Sequence, residues 1–162
     1  MVEKSLSKMP KFLLTREVGK MAKWLRILGF DARYEPSGHK SFVMIEALKE
    51  ERIVITRNLR FGARHGGTVI FIKSNELKTQ LQELLILLSL EVKKEKLFSR
   101  CIVCNEALKD IEKNLVKNEV PPYVYQTQEE FKKCFHCHRI YWKGTHWGNV
   151  EEVIKKLSSS AS

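Results

Sequence analysis

The sequence predicts an α/β fold in which a mostly parallel sheet is flanked by helices and followed by a small four-cysteine zinc ribbon. The sheet is predicted because short apolar runs alternate with segments whose apolar residues recur at helical spacing. The ribbon is predicted because all four cysteines fall in two Cys-x-x-Cys pairs after residue 100. A chain of 162 residues is long enough for one ordinary α/β core plus a small metal-bound unit.

The order of the elements indicates how the sheet is built. Apolar runs predict short buried strands at residues 12–14, 53–55 and 68–72, and residues 32–34 are expected to form a weak strand. Helical spacing predicts helices at residues 18–28, 41–51, 75–90 and 150–157. Strands and helices that alternate in this way are typical of a parallel sheet, whose working surface lies outside the carboxyl ends of its strands. Thr15 and Asn58 follow two of these strands, so we expect both at that surface.

Composition divides the chain into four segments. We expect a flexible linker at 1–10, the α/β domain at 11–95, the zinc ribbon with an inserted loop at 96–148, and a helix with a disordered tail at 149–162. The longest apolar stretch, at residues 84–90, is far shorter than the about 20 residues of a transmembrane helix. We therefore expect a soluble, intracellular protein.

The cysteines form two hooks, Cys101-Ile-Val-Cys104 and Cys134-Phe-His-Cys137, and none is left over. Two thiolates from each hook can reach one ion, which predicts a single structural Zn²⁺ held by four cysteines. The spacer between the hooks is longer than usual, as an inserted loop would make it. Two disulfides or a redox Cys-x-x-Cys pair are the alternatives, and the expected intracellular location favours zinc.

Charge points to a polyanionic partner. Lys and Arg number 29 against 19 acids, for a net charge of +10. On the first helix the apolar face is opposed by Arg16, Lys20 and Lys23, so the charge is patterned rather than scattered. We expect a nucleic acid as the partner, the alternative being a solvated basic surface. Only two of the acids are aspartates, Asp31 and Asp110. Two aspartates are too few for the Asp-rich cluster with which nucleases commonly bind divalent metal ions.

Four motifs occur in an order that resembles one known family. Residues 12–31 read FLLTREVGKMAKWLRILGFD, and residues 52–58 read RIVITRN. The two cysteine hooks, Pro121-Pro122 and the closing run YWKGTHW at 141–147 complete the set. In these features the chain resembles the Mut-seven C-terminal family, a PIN-like RNase domain fused to a zinc ribbon. The resemblance covers about residues 11–148 and implies a PIN-like fold for the α/β domain.

Two positions depart from the family pattern. Where members carry an Asp after the first strand and another after Thr-Arg, this chain has Thr15 and Asn58. A hydroxyl and a neutral amide lack the negative charge that a Mg²⁺ site needs. The resemblance therefore implies a pseudonuclease, a PIN-like scaffold without its chemistry and with no catalytic residue. The alternative is that other acids compensate, the candidates being Glu17, Asp31, Glu35 and Glu46.

These observations predict a noncatalytic RNA-binding module. The expected RNA-binding residues are Arg16, Lys20, Lys23, Arg26, Arg57, Arg60 and Arg64. Exposed aromatic rings would add base stacking, the candidates being Trp24, Tyr123, Tyr125, Tyr141, Trp142 and Trp147. The histidines near the hooks, His136, His138 and His146, are expected to form hydrogen bonds or cover the metal rather than to bind it.

The resemblance also implies a setting for the module. It points to the C-terminal region of a larger 3′–5′ exoribonuclease that acts in RNA silencing, in the cytoplasm, a perinuclear granule or the nucleus. The expected partners are single-stranded RNA, an upstream exonuclease domain in the same chain and a protein of a silencing complex. The rival functions are an active metal-dependent ribonuclease with an altered acidic site and a protein-interaction module.

Overall fold

Two sheets, one parallel and one antiparallel, organise the chain in the computed structural model, which describes residues 8–62, 68–144 and 146–159, with the backbone alone at 146–148. The strands are β1 (Lys11–Thr15), β2 (Asp31–Glu35), β3 (Arg52–Thr56), β4 (Val69–Phe71), β5 (Lys109–Ile111), β6 (Phe131–Lys133) and β7 (Ile140–Trp142). The helices are α1 (Gly19–Ile27), α2 (Lys40–Glu50), α3 (Leu77–Leu87), α4 (Pro122–Thr127) and α5 (His146–Ser158). The expected linker lies mostly outside the described residues, as does the end of the expected tail.

The first four strands form a parallel sheet in the order β2-β1-β3-β4. Leu14 lies opposite Tyr34 of β2 and Ile55 of β3, so the carboxyl ends of these strands meet at one edge. This confirms the α/β class and the mostly parallel sheet that the sequence predicts.

The sheet is covered on both faces. Phe12 and Leu14 of β1 face a large core that α1 and α3 complete, whereas Leu13 faces a smaller core with α2. This division follows from the alternation of side chains along a strand. The carboxyl-terminal helix α5 returns to the large core, where Leu157 is buried, and it begins earlier than the expected residue 150.

The ribbon is a separate three-stranded antiparallel sheet in the order β5-β6-β7. The inserted loop between the hooks contains a short 3₁₀ helix at Lys113–Val116 and the helix α4. Val116, Val120 and Phe131 form a small core of their own beneath it. In the described part of the chain, no helix combines the length and the apolar character that crossing a membrane requires.

Candidate metal centre and nucleic-acid interface

The two cysteine hooks fold into the same tight turn. The N–H of Asn105 donates to the carbonyl of Cys101 at 3.0 Å, and the N–H of His138 donates to the carbonyl of Cys134 at 2.8 Å. Asn105 and His138 follow the second cysteine of each hook, and both adopt positive φ, at 71° and 62°. The repeated turn directs both cysteine pairs toward one point.

The four sulfur atoms have the spacing of a tetrahedral thiolate site. All lie within 4.8 Å of one another, with Cys101 3.5 Å from Cys137 and Cys104 3.4 Å from Cys134. A Zn–S distance of about 2.3 Å in a tetrahedron corresponds to sulfur separations of about 3.8 Å. A disulfide would require about 2.05 Å, and all four cysteines are free. The donor set therefore fits zinc, with each hook supplying two ligands.

The thiols respond to their surroundings in different ways when no cation is present. Burial raises the pKa of Cys101, but hydrogen bonds from the Tyr141 hydroxyl, at 3.0 Å, and from backbone N–H groups outweigh burial and lower it to about 6. Burial, followed by hydrogen bonding with Cys134 and Cys101, raises the pKa of Cys104 to about 12. Metal binding would therefore release protons from part of the set.

Hydroxyl groups occupy the edge of the parallel sheet where the resemblance leads one to expect carboxylates. Thr15 ends β1 and is 1% exposed. Its hydroxyl contacts the Glu17 carboxylate and shares a hydrogen bond of 2.9 Å with the hydroxyl of Thr56, which ends β3. Asn58 uses its side-chain oxygen to accept the N–H of Arg60 at 3.0 Å, capping a short 3₁₀ helix. One carboxylate, that of Glu17, lies within this network.

The other candidate acids are dispersed. Asp31 begins β2 and pairs in register with Lys11, which places it at the edge opposite Thr15. Glu46 lies on α2, where its carboxylate forms an ion pair with Arg33 at 3.3 Å. Glu35 reaches the correct edge, but its carboxylate accepts the N–H of Ser37. Among the described residues, the four cysteines are the only group of three or more potential ligands close enough to share a metal ion.

Two of the expected RNA-binding cations lie together at the carboxyl edge of the sheet. Arg16 and Arg57 directly follow the neighbouring residues Thr15 and Thr56, and a short 3₁₀ helix at Arg16–Val18 leads into α1, which carries Lys20 and Lys23. Four of the expected cations are exposed, namely Arg16, Lys20, Lys23 and Arg60. In the described part of the chain, none of the four forms an ion pair with an acid. We call these four residues together with Arg57 the cationic face. Arg57 is half-buried and donates to Asn75. Arg64 lies outside the described residues.

Arg26 does not belong to this surface, and its expected role as an RNA contact is wrong. It is 8% exposed, with its Nε donating to the carbonyl of Ala32 at 2.8 Å. Its Nη1 donates to the carbonyls of Ile102 and Val103, at 3.0 and 3.1 Å, inside the first hook. Burial lowers the pKa of Arg26, while the nearby Cys101 thiol acts in the opposite direction. Arg26 thus joins the α/β domain to the ribbon.

A family comparison covers both parts of this structure. A family model for the Mut7-C RNAse domain matches residues 10–154, from the start of β1 into α5. The chain belongs to this family. No match to a curated protein or to a solved structure was found. The match includes the sheet edge and both hooks, so the resemblance of the four sequence motifs is confirmed.

The junction between the two parts of the Mut7-C domain includes a polar cluster that the sequence did not reveal. Asp31 accepts from Arg52 at 2.6 Å and from the side-chain amide of Asn105 at 2.7 Å. Asn105 in turn accepts the backbone N–H of Ala32 at 3.0 Å. Burial raises the pKa of Asp31, but these hydrogen bonds and the charges of Arg52 and Arg100 outweigh burial and lower it. The position of Asn105 directly after a hook was the only signal available in the sequence.

The structure separates the aromatic stacking candidates. Trp24 packs against the large core, and Tyr125 packs in the core of the ribbon with the Lys113 ammonium 5.2 Å from its ring centroid. Tyr141 is half-buried on Cys101. Tyr123 and Trp142 are exposed, at 73% and 37%. The side chain of Trp147 lies outside the described residues.

The basic and histidine residues around the second hook also differ in their surroundings. Lys132 is 2.9 Å from Asp110, and Lys133 is 3.1 Å from Glu119, so both lysines form ion pairs. His136 and His138 are exposed, and neither belongs to the cluster of potential ligands. The side chain of His146 lies outside the described residues.

Proposed function

We propose that this Mut7-C domain is a noncatalytic RNA-binding module whose zinc ribbon is structural. The observation that carries the proposal is the hydrogen-bond network at the sheet edge, in which buried Thr15 and Thr56 are joined to one carboxylate, that of Glu17. A hard divalent cation usually takes several oxygen ligands with negative charge among them. One carboxylate already engaged by a hydroxyl is a poor substitute for such a set.

The same edge is suited to phosphate. The cationic face begins directly after the threonine pair, and its exposed members are not neutralised by acids of the described residues. The buried hydroxyls at the sheet edge are neutral, and Glu17 and Glu35 are fewer than the cations of the cationic face, which can therefore attract a polyanion. Contacts of this kind provide affinity without sequence choice and depend strongly on salt.

We further propose that the module assists a 3′–5′ exoribonuclease, in which it would lie beside a catalytic domain of the same chain. A tethered RNA-binding domain raises the local concentration of substrate near the catalytic domain. In that setting the module would serve RNA silencing, and a protein partner of the silencing complex would contact another surface.

The four cysteines would hold one Zn²⁺ in this proposal. With all four coordination positions taken by thiolates, the ion would have no open position for water or substrate. Its contribution would be to hold the two hooks together, while the residues of the hooks position the ribbon against α1 and β2.

The test is the affinity of the isolated domain for a single-stranded RNA oligonucleotide at several salt concentrations. We expect the double variant Lys20→Glu/Lys23→Glu to bind much more weakly and to show a salt slope smaller by about 1.4, at about 0.7 for each lost phosphate contact. The matched control is Lys117→Glu/Lys155→Glu, which changes the net charge equally at exposed positions of the inserted loop and α5. The control should bind nearly as the wild type.

Two results would overturn the proposal. Mn²⁺-dependent cleavage of single-stranded RNA that is abolished by Glu17→Gln would establish an active ribonuclease. A salt-insensitive complex that tolerates Lys20→Glu/Lys23→Glu would instead indicate a protein-interaction module, since apolar contacts are not screened by ions.

A further inference from the structure

A groove opens between the first cysteine hook and strand β7. Its volume is about 400 Å³. We call it the hook groove, and its walls include Ile102, Val103, His138, Arg139, Ile140 and Trp142. The Tyr141 ring, whose hydroxyl contacts Cys101, also lines it. The groove therefore lies against the metal centre without using any of its ligands.

The walls combine apolar surface with one cation, that of Arg139. Val103 and Trp142, exposed at 51% and 37%, provide the apolar surface. His138 and Arg139 are also exposed. The acid at the margin, Glu119, is neutralised by Lys133 at 3.1 Å. A ligand with a planar ring and a negative group matches this combination, as a nucleotide does.

A second, larger cavity on the other side of β7 has a different charge. Its volume is about 530 Å³, and Trp142 borders it as well. Its acidic lining residues are Asp110, Glu112, Glu129 and Glu130. Lys132 and Lys113 neutralise Asp110 and Glu129, and Lys143 also lines the cavity, so one negative charge remains in excess to repel phosphate. Charge thus favours the smaller groove for an RNA chain.

The first cysteine hook, which forms one wall of the hook groove, is held to α1. Arg26 of α1 donates to the carbonyls of Ile102 and Val103, and both of these residues line the groove. Lys23 lies one helical turn before Arg26 on the same helix. A strand of RNA that follows α1 toward its carboxyl end would therefore approach the hook that borders the groove.

We propose that the hook groove holds one nucleotide of a single-stranded RNA that lies along the cationic face. The base packs on Trp142 and Val103, and an adjacent phosphate contacts Arg139. This inference rests on the proposed RNA-binding function and adds to it a stacking site on the ribbon.

The experiment compares Trp142→Ala and Trp142→Phe in the zinc-loaded domain with an oligouridine RNA as the probe. Stacking of one base contributes about 1–3 kcal/mol, so we expect Trp142→Ala to weaken binding about 5- to 150-fold, while Trp142→Phe retains most of the affinity. The salt slope of Trp142→Ala should equal that of the wild type, because no phosphate contact is lost. Tyr123→Ala removes a more exposed aromatic ring elsewhere and should have no effect.

A second variant covers the case in which Trp142→Ala unfolds the ribbon, which zinc content and thermal melting would reveal. Val103→Glu places a carboxylate at a half-exposed wall position and should weaken binding while the melting temperature is preserved. The inference is overturned if folded Trp142→Ala or Val103→Glu binds as the wild type, or if Tyr123→Ala is the variant that weakens binding. A wild-type domain that binds no RNA at low salt would overturn the proposed function as well, which distinguishes the two failures.

Discussion

Thr15 shows at the scale of one residue how a neutral side chain can fill a buried position at the edge of the sheet. Its hydroxyl joins Glu17 to Thr56 at a site that is almost fully buried. A carboxylate in the same place would be costly without a cation, because burial and the charge of Glu17 both oppose its ionisation. The hydroxyl satisfies the hydrogen bonds of the site without requiring a metal.

Restoring the two acids should therefore restore a dependence on metal. We expect Thr15→Asp/Asn58→Asp to melt at a lower temperature than the wild type, and Mn²⁺ to raise that melting temperature while leaving the wild type unchanged. The isosteric control Thr15→Asn/Asn58→Asp adds one acid fewer and should respond less. An equal stabilisation of the wild-type domain by Mn²⁺ would indicate that a functional metal site is already present.

Arg26 and Lys23 lie one turn apart on α1, yet they differ in exposure and in the hydrogen bonds that they form. Arg26 supplies three hydrogen bonds to backbone carbonyls, whereas Lys23 is exposed. We expect Arg26→Met to lower the free energy of unfolding by about 3 kcal/mol, since each buried carbonyl left without a donor costs about 1–3 kcal/mol. Lys23→Met should leave stability unchanged and weaken RNA binding. Denaturant unfolding and RNA titration of both variants at one salt concentration provide the measurement.

Arg26 was misplaced by sequence reasoning because its partners are distant in the chain. A helical wheel gives the angle of a side chain around its axis, and Arg26 lies only slightly to one side of the basic face. It does not reveal that residues 102 and 103 cover that angle. The cluster of four cysteines was easier to predict because its signal is local spacing.

The two hooks are equivalent as elements, but the residues directly after them have different contacts. Asn105 and His138 both adopt positive φ, but only Asn105 bonds across to the α/β domain, through Asp31 and the N–H of Ala32. Glycine adopts this conformation readily, so substitution to Gly removes the side chain while keeping the turn. Comparing Gly substitutions at these two positions therefore separates the contribution of the turn to stability from the contribution of the contacts with the α/β domain.

We expect Asn105→Gly to destabilise the domain by about 2–3 kcal/mol, because it breaks a hydrogen bond to a charged group and another to a buried N–H. His138→Gly, at the matched position of the second hook, should change stability by less than about 0.5 kcal/mol, as exposed sites usually do. Equal losses in the two variants, measured by denaturant unfolding with zinc in excess, would show that the turns rather than the junction determine stability.

Secondary structure was predicted well where a signal was local. The four parallel strands and the helices between them follow from apolar runs and helical spacing, and α1 ends just before the expected Gly29. The return of α5 to the large core was not predicted, since nothing in its amphipathic pattern identifies which surface it covers. Tertiary partners of this kind depend on the whole fold rather than on the segment.

At the scale of the whole molecule, polar contacts join the α/β domain to the ribbon. Arg26 and Asp31 carry opposite charges at this junction, and each forms a hydrogen bond with a residue of the first hook or directly after it. Hydrogen bonds to charged groups are among the stronger ones, so breaking these contacts is costly. Loss of the hook geometry should therefore destabilise the part of the α/β domain that contacts the hook.

Removal of zinc tests this coupling. Structural zinc sites contribute about 10–16 kcal/mol of apparent binding energy, so a chelator should unfold the hooks. With Ile102, Val103 and Asn105 displaced, Arg26 and Asp31 lose their partners in the first hook, and we expect faster amide exchange at the end of α1 and the start of β2. The helix α2 packs on the opposite face of the sheet, so it serves as the internal control and should keep its protection. The measurement is hydrogen exchange read by mass spectrometry before and after chelation. The coupling would be contradicted if α1 and β2 stayed as protected as α2 while the ribbon exchanged freely.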